Sequence, residues 1–244
     1  MIFFKQLSRI KAISFDLDDT LYDNHPIISH AEEWFAAMVS ERYGLGDKAR
    51  FFEFFHDVKR KVLHLYPHLE NDVTAMREEA LMYAFDVLKL PFKGGRAEAS
   101  GLVDEFIQVR SKIVVPESSI DILTKLKAKY HLAAISNGNS DMSSLGLSHL
   151  FEYNLRPSLD CCKRKPAPDL FNEYARLLGI KTNEILHVGD EPFTDIDGAV
   201  YAGCQCAWLY KGYAGASSTE EKLTVLPTLI IHSLSELLDI NYYD

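Results

Sequence analysis

The sequence is poor in cysteine, with four in 244 residues. Cys161 and Cys162 are adjacent, and one residue separates Cys204 from Cys206. Because a zinc site usually has about two to four residues between paired cysteine ligands, often with histidines nearby, neither pair fits one well. We therefore expect reduced thiols that pack as small apolar side chains.

The sequence also lacks a long apolar run and an excess of positive charge. No segment approaches the roughly 20 apolar residues of a membrane span, and residues 1–9 contain no apolar stretch of signal-peptide length. The formal net charge of −9 argues against nucleic acid or an anionic membrane as the main partner. We expect a cytoplasmic protein that binds neither nucleic acid nor a membrane.

Strand-length apolar runs alternate with helical patterns over most of the chain, as is common in globular α/β proteins. The predicted strands cover 10–15, 131–135, 152–155, 184–188, 204–209 and 227–231, and the predicted helices between them cover 117–129, 167–178, about 195–202 and 233–239. This alternation predicts an α/β fold, a doubly wound parallel sheet with helices on both faces. Such sheets bind ligands at the carboxyl ends of their strands.

Residues 24–115 interrupt the alternation. They have the periodicity of three to four amphipathic helices, at about 27–43, 47–64, 72–89 and 94–113, with proline and glycine at the breaks. We therefore predict an α/β core of residues 1–23 and 116–244 with a helical domain, 24–115, inserted after its first strand. An insertion at that point would lie above the carboxyl end of the strand, where a lid over an active site belongs.

Three carboxylates follow the first predicted strand within four positions: Asp16, Asp18 and Asp19. Folding does not require such a cluster, since two charges ~4 Å apart at an effective dielectric constant of ~20 repel by about 4 kcal/mol. A charged turn after a buried strand would be the simplest explanation of a single motif of this kind. Further polar motifs downstream favour a reactive site instead.

The downstream motifs are Ser136 with Asn137, Lys165 at the start of a predicted helix, and Gly189-Asp190 with Asp195 five residues later. A hydroxyl and free backbone N–H groups at a strand end can hold an oxyanion. Taken singly, the serine motif is also typical of a turn and the lysine of a solvated surface. Two more carboxylates beside a glycine at a second strand end indicate a functional site.

Together these residues predict a magnesium-dependent site for phosphoryl transfer. An oxygen-rich cluster suits Mg²⁺, which bridges carboxylates to a substrate phosphate. Asp16 could then attack phosphorus and form an aspartyl-phosphate, while Asp18 could protonate the leaving oxygen and later activate water. Ser136 and Lys165 would hold the nonbridging oxygens of the phosphoryl group.

The motifs Asp16-x-Asp18-x-Thr20, Ser136, Lys165-Pro166 and Gly189-Asp190-x4-Asp195 resemble the four motifs of the haloacid dehalogenase superfamily. The resemblance covers the whole chain and implies a type 1 cap for residues 24–115. It implies Mg²⁺ bound by the side chains of Asp16 and Asp190 and by the backbone carbonyl of Asp18, with Asp195 supporting or sharing the metal. Asp18 implies a phosphatase, because dehalogenases of this superfamily lack that acid.

A narrower resemblance is to bacterial phosphatases of flavin metabolism, on residues 15–24, 71–74, 136–139 and 184–190. It implies a small phosphorylated metabolite as substrate, either FMN or 5-amino-6-(5-phospho-D-ribitylamino)uracil. A phosphomutase that uses the same aspartyl-phosphate is an alternative. A receiver-type signalling domain is another, but Asp18 and the inserted helices count against it.

Substrate contacts are expected beyond the nucleophile. Tyr22 and Asn24 are predicted to line the entrance, together with Ser136, Asn137 and Lys165 at the phosphate. Arg77, on the predicted polar side of the 72–89 helix, could pair with a polar substrate group. The alternative for Arg77 is a solvated surface arginine, since arginines are mostly exposed.

Overall fold

The computed structural model describes residues 1–210, 212–213 and 223–240. The chain divides into two compact units. The core unit contains Met1–Asn24, Ile113–Gly138 and Met142–Asp244, and the helical unit contains His25–Lys112 and Asn139–Asp141. The sequence predicted a helical domain at 24–115 and gave no indication that three residues from a second stretch group with it.

The core unit is built on one mainly parallel sheet. Its described strands are β1 (Ile2–Phe3), β2 (Ala12–Phe15), β3 (His131–Ile135), β4 (Tyr153–Leu155), β5 (Ile185–Gly189), β6 (Gln205–Leu209) and β7 (Leu229–Ile231), in the spatial order β1-β7-β6-β5-β2-β3-β4. All pairs are parallel except β1 with β7. The predicted α/β class is therefore confirmed, and β1 is the strand that the sequence did not predict.

The strand β2 lies in the middle of the sheet, between β3 and β5. Phe15 at its carboxyl end is paired with Ala134 on one side and Val188 on the other. All four β2 residues are buried, which explains their continuous apolar character. The chain runs outward from β2 through β3 to β4 and then returns to β5 on the other side, so the strand order reverses at β2. That reversal opens a crevice at the carboxyl edge, where ligands of doubly wound sheets bind.

The described α-helices are α1 (His25–Arg42), α2 (Lys48–Leu65), α3 (Val73–Val87), α4 (Gly95–Arg110), α5 (Glu117–Lys127), α6 (Asp169–Leu178) and α7 (Gly198–Tyr201). The helix predicted at 195–202 is instead a wide π-helical turn, Pro192–Asp197, that continues into α7. The helix predicted at 233–239 is a 3-10 helix, Leu234–Asp239. None of the described helices is both long and apolar enough to cross a bilayer.

The helical unit has its own apolar core, contributed by α1 to α4. Phe35, Phe55, Phe85 and Phe106 are buried within it and pack edge to face or tilted against neighbouring rings. The segment Asn139–Asp141 is joined to these helices by hydrogen bonds. Arg110 donates to Asn139 Oδ1 (2.6 Å), whose amide nitrogen donates to Thr74 Oγ1 (3.1 Å), and the backbone N–H of Asp141 donates to Ser111 Oγ (3.0 Å).

The sequence predicted that Arg77 lies on a polar surface. In the structure it is instead buried inside the helical unit, with 7% of its surface exposed. Its guanidinium donates to both carboxylate oxygens of Glu32, at 2.7 and 3.3 Å, and lies 3.7 Å from the ring centre of Phe106. Lys59 Nζ donates to the same carboxylate at 3.0 Å. The prediction failed because the partner carboxylate is on another helix, 45 residues away along the chain.

The four cysteines are free thiols. Cys162, Cys204 and Cys206 are buried, as expected of small apolar side chains, whereas Cys161 is exposed.

Candidate active site

Three carboxylates meet at the carboxyl edge of the sheet: Asp16 after β2, Asp190 after β5, and Asp195 in the π-helical turn. One oxygen from each lies within 4.8 Å of the other two, and all three residues are buried. Two ligand oxygens of one Mg²⁺ lie no more than about 4.2 Å apart, so this spacing is close to what a single divalent cation requires. The sequence grouped these residues correctly because each follows or faces the end of a central strand.

Lys165 is enclosed by this cluster and is 1% exposed. Its ammonium donates to Asp16 Oδ1 (2.6 Å), Asp195 Oδ1 (2.5 Å) and the backbone carbonyl of Ile135 (2.7 Å). An ammonium has three hydrogens, so all of them are used within the protein. Burial opposes the charge, but the two carboxylates outweigh it and raise the pKa of Lys165.

Asp16 has one held oxygen and one open oxygen. Oδ1 accepts from Lys165, whereas no described residue donates a hydrogen bond to Oδ2. Burial raises the pKa of Asp16 to about 7; Lys165 opposes this, and the carboxylates of Asp195 and Asp18 add to it. Asp16 thus has one oxygen that accepts no hydrogen bond from the described residues, in a site that disfavours the negative charge of the carboxylate.

Asp190 is positioned by two groups that the sequence analysis did not assign. Thr20 Oγ1 donates to Asp190 Oδ1 (2.9 Å), and the indole nitrogen of Trp208 donates to the Asp190 backbone carbonyl (2.8 Å). Burial raises the pKa of Asp190 to about 8, with repulsion from Asp195 and Asp16. The site therefore holds three carboxylates and one ammonium, which contacts Asp16 and Asp195 but not Asp190, and the excess negative charge suits a bound cation.

Asp195 is held as a carboxylate. Oδ1 accepts from Lys165 and from His187 Nε2 (3.2 Å), and Oδ2 accepts from the backbone N–H of Glu191 (3.1 Å). Burial would raise its pKa, but Lys165 and His187 together hold the pKa of Asp195 well below its usual range. Gly189 makes this approach possible, because a Cβ there would lie 2.3 Å from Asp195 Cγ.

The residues after Asp16 form a tight turn in which Asp19 has a φ of 59°. Tyr22 is 1% exposed and its hydroxyl donates to Asp18 Oδ1 at 2.7 Å, so it orients this carboxylate instead of lining the predicted entrance. Asp19 Oδ1 accepts from the backbone N–H of Asn24 at 2.8 Å. The side-chain carbonyl oxygen of Asn24 is buried and receives no hydrogen bond from the described residues.

Ser136 and Asn137 follow β3 in the positions expected. Ser136 is 3% exposed, and its Oγ accepts from the backbone N–H of Gly138 at 3.0 Å. Asn137 is engaged by the backbone of Lys165: its amide nitrogen donates to the Lys165 carbonyl (2.9 Å), and its oxygen accepts from the Lys165 N–H (2.8 Å). Asn137 therefore fixes the backbone of Lys165 beside the β3 end.

Sequence reasoning missed the supporting roles of Ser14, Thr20, His187 and Trp208. His187 is fully buried between Ser14 Oγ, 2.9 Å from its Nδ1, and Asp195. A single imidazole within an otherwise apolar predicted strand was the available signal. For Trp208 no local signal existed, because its partner is the backbone carbonyl of Asp190, just beyond the end of the neighbouring strand β5.

The fold and this site define a hydrolase class. A family model of haloacid dehalogenase-like hydrolases matches residues 10–203. The chain belongs to that family, and its phosphatase relatives identify it as a phosphoric monoester hydrolase.

Particular relatives cover almost the whole chain. The 5-amino-6-(5-phospho-D-ribitylamino)uracil phosphatase YigB of Escherichia coli (strain K12) is 34% identical over 97% of this chain and 98% of its own length. A glyceraldehyde 3-phosphate phosphatase of Pyrococcus furiosus is 26% identical over 92% and 93%. The crystal structure of a 2-haloacid dehalogenase from Pseudomonas syringae pv. Tomato DC3000 superimposes with a TM-score of 0.81 and 28% identity, covering 94% of this chain and 97% of its own.

Proposed function

We propose that this phosphatase is Mg²⁺-dependent and hydrolyses a small phosphorylated metabolite through an aspartyl-phosphate on Asp16. The observation that carries the proposal is the unequal state of the two Asp16 oxygens. Lys165 holds Oδ1, while no described residue donates to Oδ2. A nucleophile needs this combination of fixed orientation and an open lone pair.

The donor set fits Mg²⁺, since the cluster offers the carboxylate oxygens of three aspartates. Asp16, Asp190 and the backbone carbonyl of Asp18 would hold the ion, and Asp195 would act chiefly by fixing Lys165. When bound, the ion supplies positive charge that offsets the repulsion between Asp16 and the phosphoryl oxygens. Thr20 and Trp208 would keep Asp190 in place whether or not an ion is present.

In this mechanism Asp16 supplies the attacking electron pair and Asp18 transfers the protons. Asp16 Oδ2 forms a bond to phosphorus as the bond to the leaving oxygen breaks, and Asp18 gives that oxygen a proton. Asp18, now a carboxylate, takes a proton from a water molecule that attacks phosphorus and releases Asp16. The hydroxyl of Tyr22 orients Asp18 for both steps.

Lys165 and Ser136 would stabilise the phosphoryl oxygens. Because the three hydrogens of the Lys165 ammonium are already used, contact with a phosphoryl oxygen requires that one of its present bonds be exchanged. The bond to Asp16 Oδ1 is the natural one, since Asp16 loses negative charge as it bonds to phosphorus. The Ser136 hydroxyl hydrogen can be donated, because Gly138 uses Ser136 Oγ as an acceptor.

We propose 5-amino-6-(5-phospho-D-ribitylamino)uracil or FMN as the substrate. The support is the similarity to YigB, which extends over nearly the full length of both chains. Both molecules carry N–H and O–H donors that the buried Asn24 carbonyl oxygen could accept. Arg77 is left out of this proposal because Glu32 already holds its guanidinium.

The substrate proposal is tested by measuring kcat/KM with Mg²⁺ for FMN, the ribitylaminouracil phosphate, sugar phosphates, nucleotides and phosphoserine. We expect the two flavin-pathway compounds to exceed the others by at least tenfold. A preference for another class would overturn the substrate, and transfer of phosphate to a second sugar position would indicate a mutase. Chloroacetate should release no halide, and the Asp16→Asn variant controls for contaminating phosphatase.

The metal proposal has an optical readout. The sequence contains two tryptophans, and Trp208 bonds to the carbonyl of Asp190. In a Trp34→Phe variant the fluorescence comes from Trp208, and we expect Mg²⁺ to change it with saturation. Asp190→Asn in the same background should abolish the change. An unchanged titration with Asp190→Asn would place the metal elsewhere.

A further inference from the structure

His187 lies directly below the reactive carboxylates, yet no step of the proposed chemistry uses it. It is fully buried in β5, a strand whose other residues are apolar apart from Gly189. One face of its ring packs edge to face on Phe171, with ring centres 4.9 Å apart. Burying an imidazole among apolar groups costs free energy unless its nitrogens are hydrogen bonded. Both nitrogens have partners: Ser14 Oγ and Asp195 Oδ1.

The hydrogen bonds assign the tautomer of this ring. Asp195 Oδ1 already accepts from Lys165, and Oδ2 accepts from the N–H of Glu191, so Asp195 is an acceptor on both sides. His187 Nε2 must therefore carry a hydrogen to bond with Oδ1. Since burial among apolar groups disfavours a charged imidazole, the opposite nitrogen, Nδ1, is bare and accepts the hydroxyl hydrogen of Ser14.

We infer that Ser14 and His187 form a positioning relay for catalysis, in which the Ser14 hydroxyl orients His187 and His187 Nε2–H orients Asp195. Asp195 in turn holds Lys165, which holds Oδ1 of Asp16. The relay thus runs along two neighbouring central strands to the nucleophile that ends one of them. It rests on the proposed function, because it acts through the nucleophile Asp16.

Loss of the relay should have a kinetic effect that loss of an ordinary core residue would not have. Neither Ser14 nor His187 touches the substrate, so losing the relay should lower kcat and leave KM nearly unchanged. Leucine in place of His187 suits the apolar interior in size but leaves Ser14 Oγ and Asp195 Oδ1 each without one hydrogen bond, so Tm should fall somewhat. A purely structural loss would leave kcat unchanged below the thermal transition, so a lower kcat at unchanged KM distinguishes the relay from a packing role.

The experiment measures kcat and KM on p-nitrophenyl phosphate, and Tm, for four variants. We expect His187→Leu to lower kcat at least tenfold with KM within about twofold, and Ser14→Ala to lower kcat by about three- to fivefold. His187→Gln, whose amide can still donate to Asp195, should recover most of the loss. Leu186→Ala, at the adjacent buried position without a polar partner, should lower Tm and leave kcat within about twofold.

A second measurement does not depend on turnover. ¹⁵N shifts of the imidazole in the full-length protein should show a protonated Nε2 and a bare Nδ1. The opposite tautomer, or a doubly protonated ring, would overturn the relay, as would His187→Leu with wild-type kcat. Activity in Asp16→Asn would instead contradict the proposed function, and the ¹⁵N result would still report on the relay.

Discussion

Each unit of this protein contains a cluster of charged side chains removed from solvent, and the two clusters are balanced in opposite ways. In the core unit, three carboxylates lie together with a single ammonium, that of Lys165, which pairs with Asp16 and Asp195. In the helical unit, the single carboxylate of Glu32 is shared by Lys59 and Arg77, whose side chains are 15% and 9% exposed.

The difference is visible in the carboxyl pKa values. Burial and mutual repulsion raise the pKa of Asp16 to about 7 and that of Asp190 to about 8. In the helical unit burial also opposes the charge, but Arg77 and Lys59 outweigh it and lower the pKa of Glu32 to about 2. In the core unit the repulsion between carboxylates is not balanced by enough positive charge, which is typical of a site that binds a cation and supports a reaction. In the helical unit the charge of Glu32 is balanced by two cations, which is typical of a structural ion pair.

The largest effect is expected at Asp16, the proposed nucleophile. Asp16→Asn should lower kcat by at least roughly 10⁴-fold, because an amide cannot form the acyl-phosphate. The same change removes one of the repelling charges, so Tm should stay equal or rise. Steady-state assays and thermal unfolding of the same preparation test both expectations. Substantial turnover, with contamination excluded, would remove Asp16 from the mechanism.

A substitution at Asp18 can distinguish the proposed proton transfer by its side chain from the proposed metal binding by its backbone carbonyl. Asp18→Asn keeps the backbone carbonyl and removes the acid, so kcat should fall by about 10³-fold for a substrate with a poor leaving group. The fall should be much smaller for p-nitrophenyl phosphate, whose leaving oxygen needs little protonation. Tyr22→Phe, which removes the hydrogen bond to Asp18, should give a weaker version of the same pattern. Equal losses on both substrates would contradict the assigned role.

The helical cluster should respond in stability instead of activity. Glu32→Gln leaves two largely buried cations without their carboxylate and should lower the free energy of unfolding by about 3 kcal/mol. Urea unfolding measures this, and kcat on p-nitrophenyl phosphate below the transition should stay within about twofold. Glu105→Gln is the matched control, because the Arg42–Glu105 pair is also bidentate but 44% and 38% exposed. Its loss should cost less than about 1 kcal/mol.

The two clusters should also titrate in opposite directions. Asp16 and Asp190 keep protons up to about pH 7 and 8 when folded, but release them near 3.8 when unfolded. The metal-free protein should therefore lose stability as pH rises from about 4 to 8. Glu32, with a pKa of about 2 against 4.5, contributes stability above 4.5 that is lost as pH falls toward 2.

Urea unfolding in EDTA across this pH range measures both slopes. Asp190→Asn should flatten the neutral slope, and Glu32→Gln should flatten only the acid one. Added Mg²⁺ should stabilise the wild type more at pH 8 than at pH 5.5. A stability that rises from pH 5.5 to 8 without metal would contradict the view that the core cluster is under-compensated.

Much of the fold and the central residues of the site were predictable because they depend on local patterns. Buried parallel strands are continuous apolar runs, and Asp16, Ser136 and Asp190 stand where such runs stop. The strand β1 was missed because two residues show no periodicity. A motif suggested which of the three consecutive basic residues ending at Lys165 enters the site. No pattern in the sequence indicated that Lys165 would be fully enclosed.

What escaped prediction depends on partners that are distant in sequence. Arg77 stands in a run of charged residues and has the pattern of a polar helix face, until Glu32 of another helix is placed beside it. The contact between His187 and Asp195 arises because a π-helical turn brings the carboxylate back over Gly189. Hydrophobic periodicity cannot predict either contact, since each joins polar side chains that belong to different secondary-structure elements.

The segment Asn139–Asp141 has a consequence for how this architecture can be recombined. Because Asn139 and Asp141 bond to Thr74, Arg110 and Ser111, the helical unit is encoded by two separate stretches of the gene. A chimaera that exchanges only residues 25–112 with a relative would pair a foreign α4 with the resident Asn139. A chimaera that keeps these hydrogen bonds must therefore exchange residues 25–112 and 139–141 together.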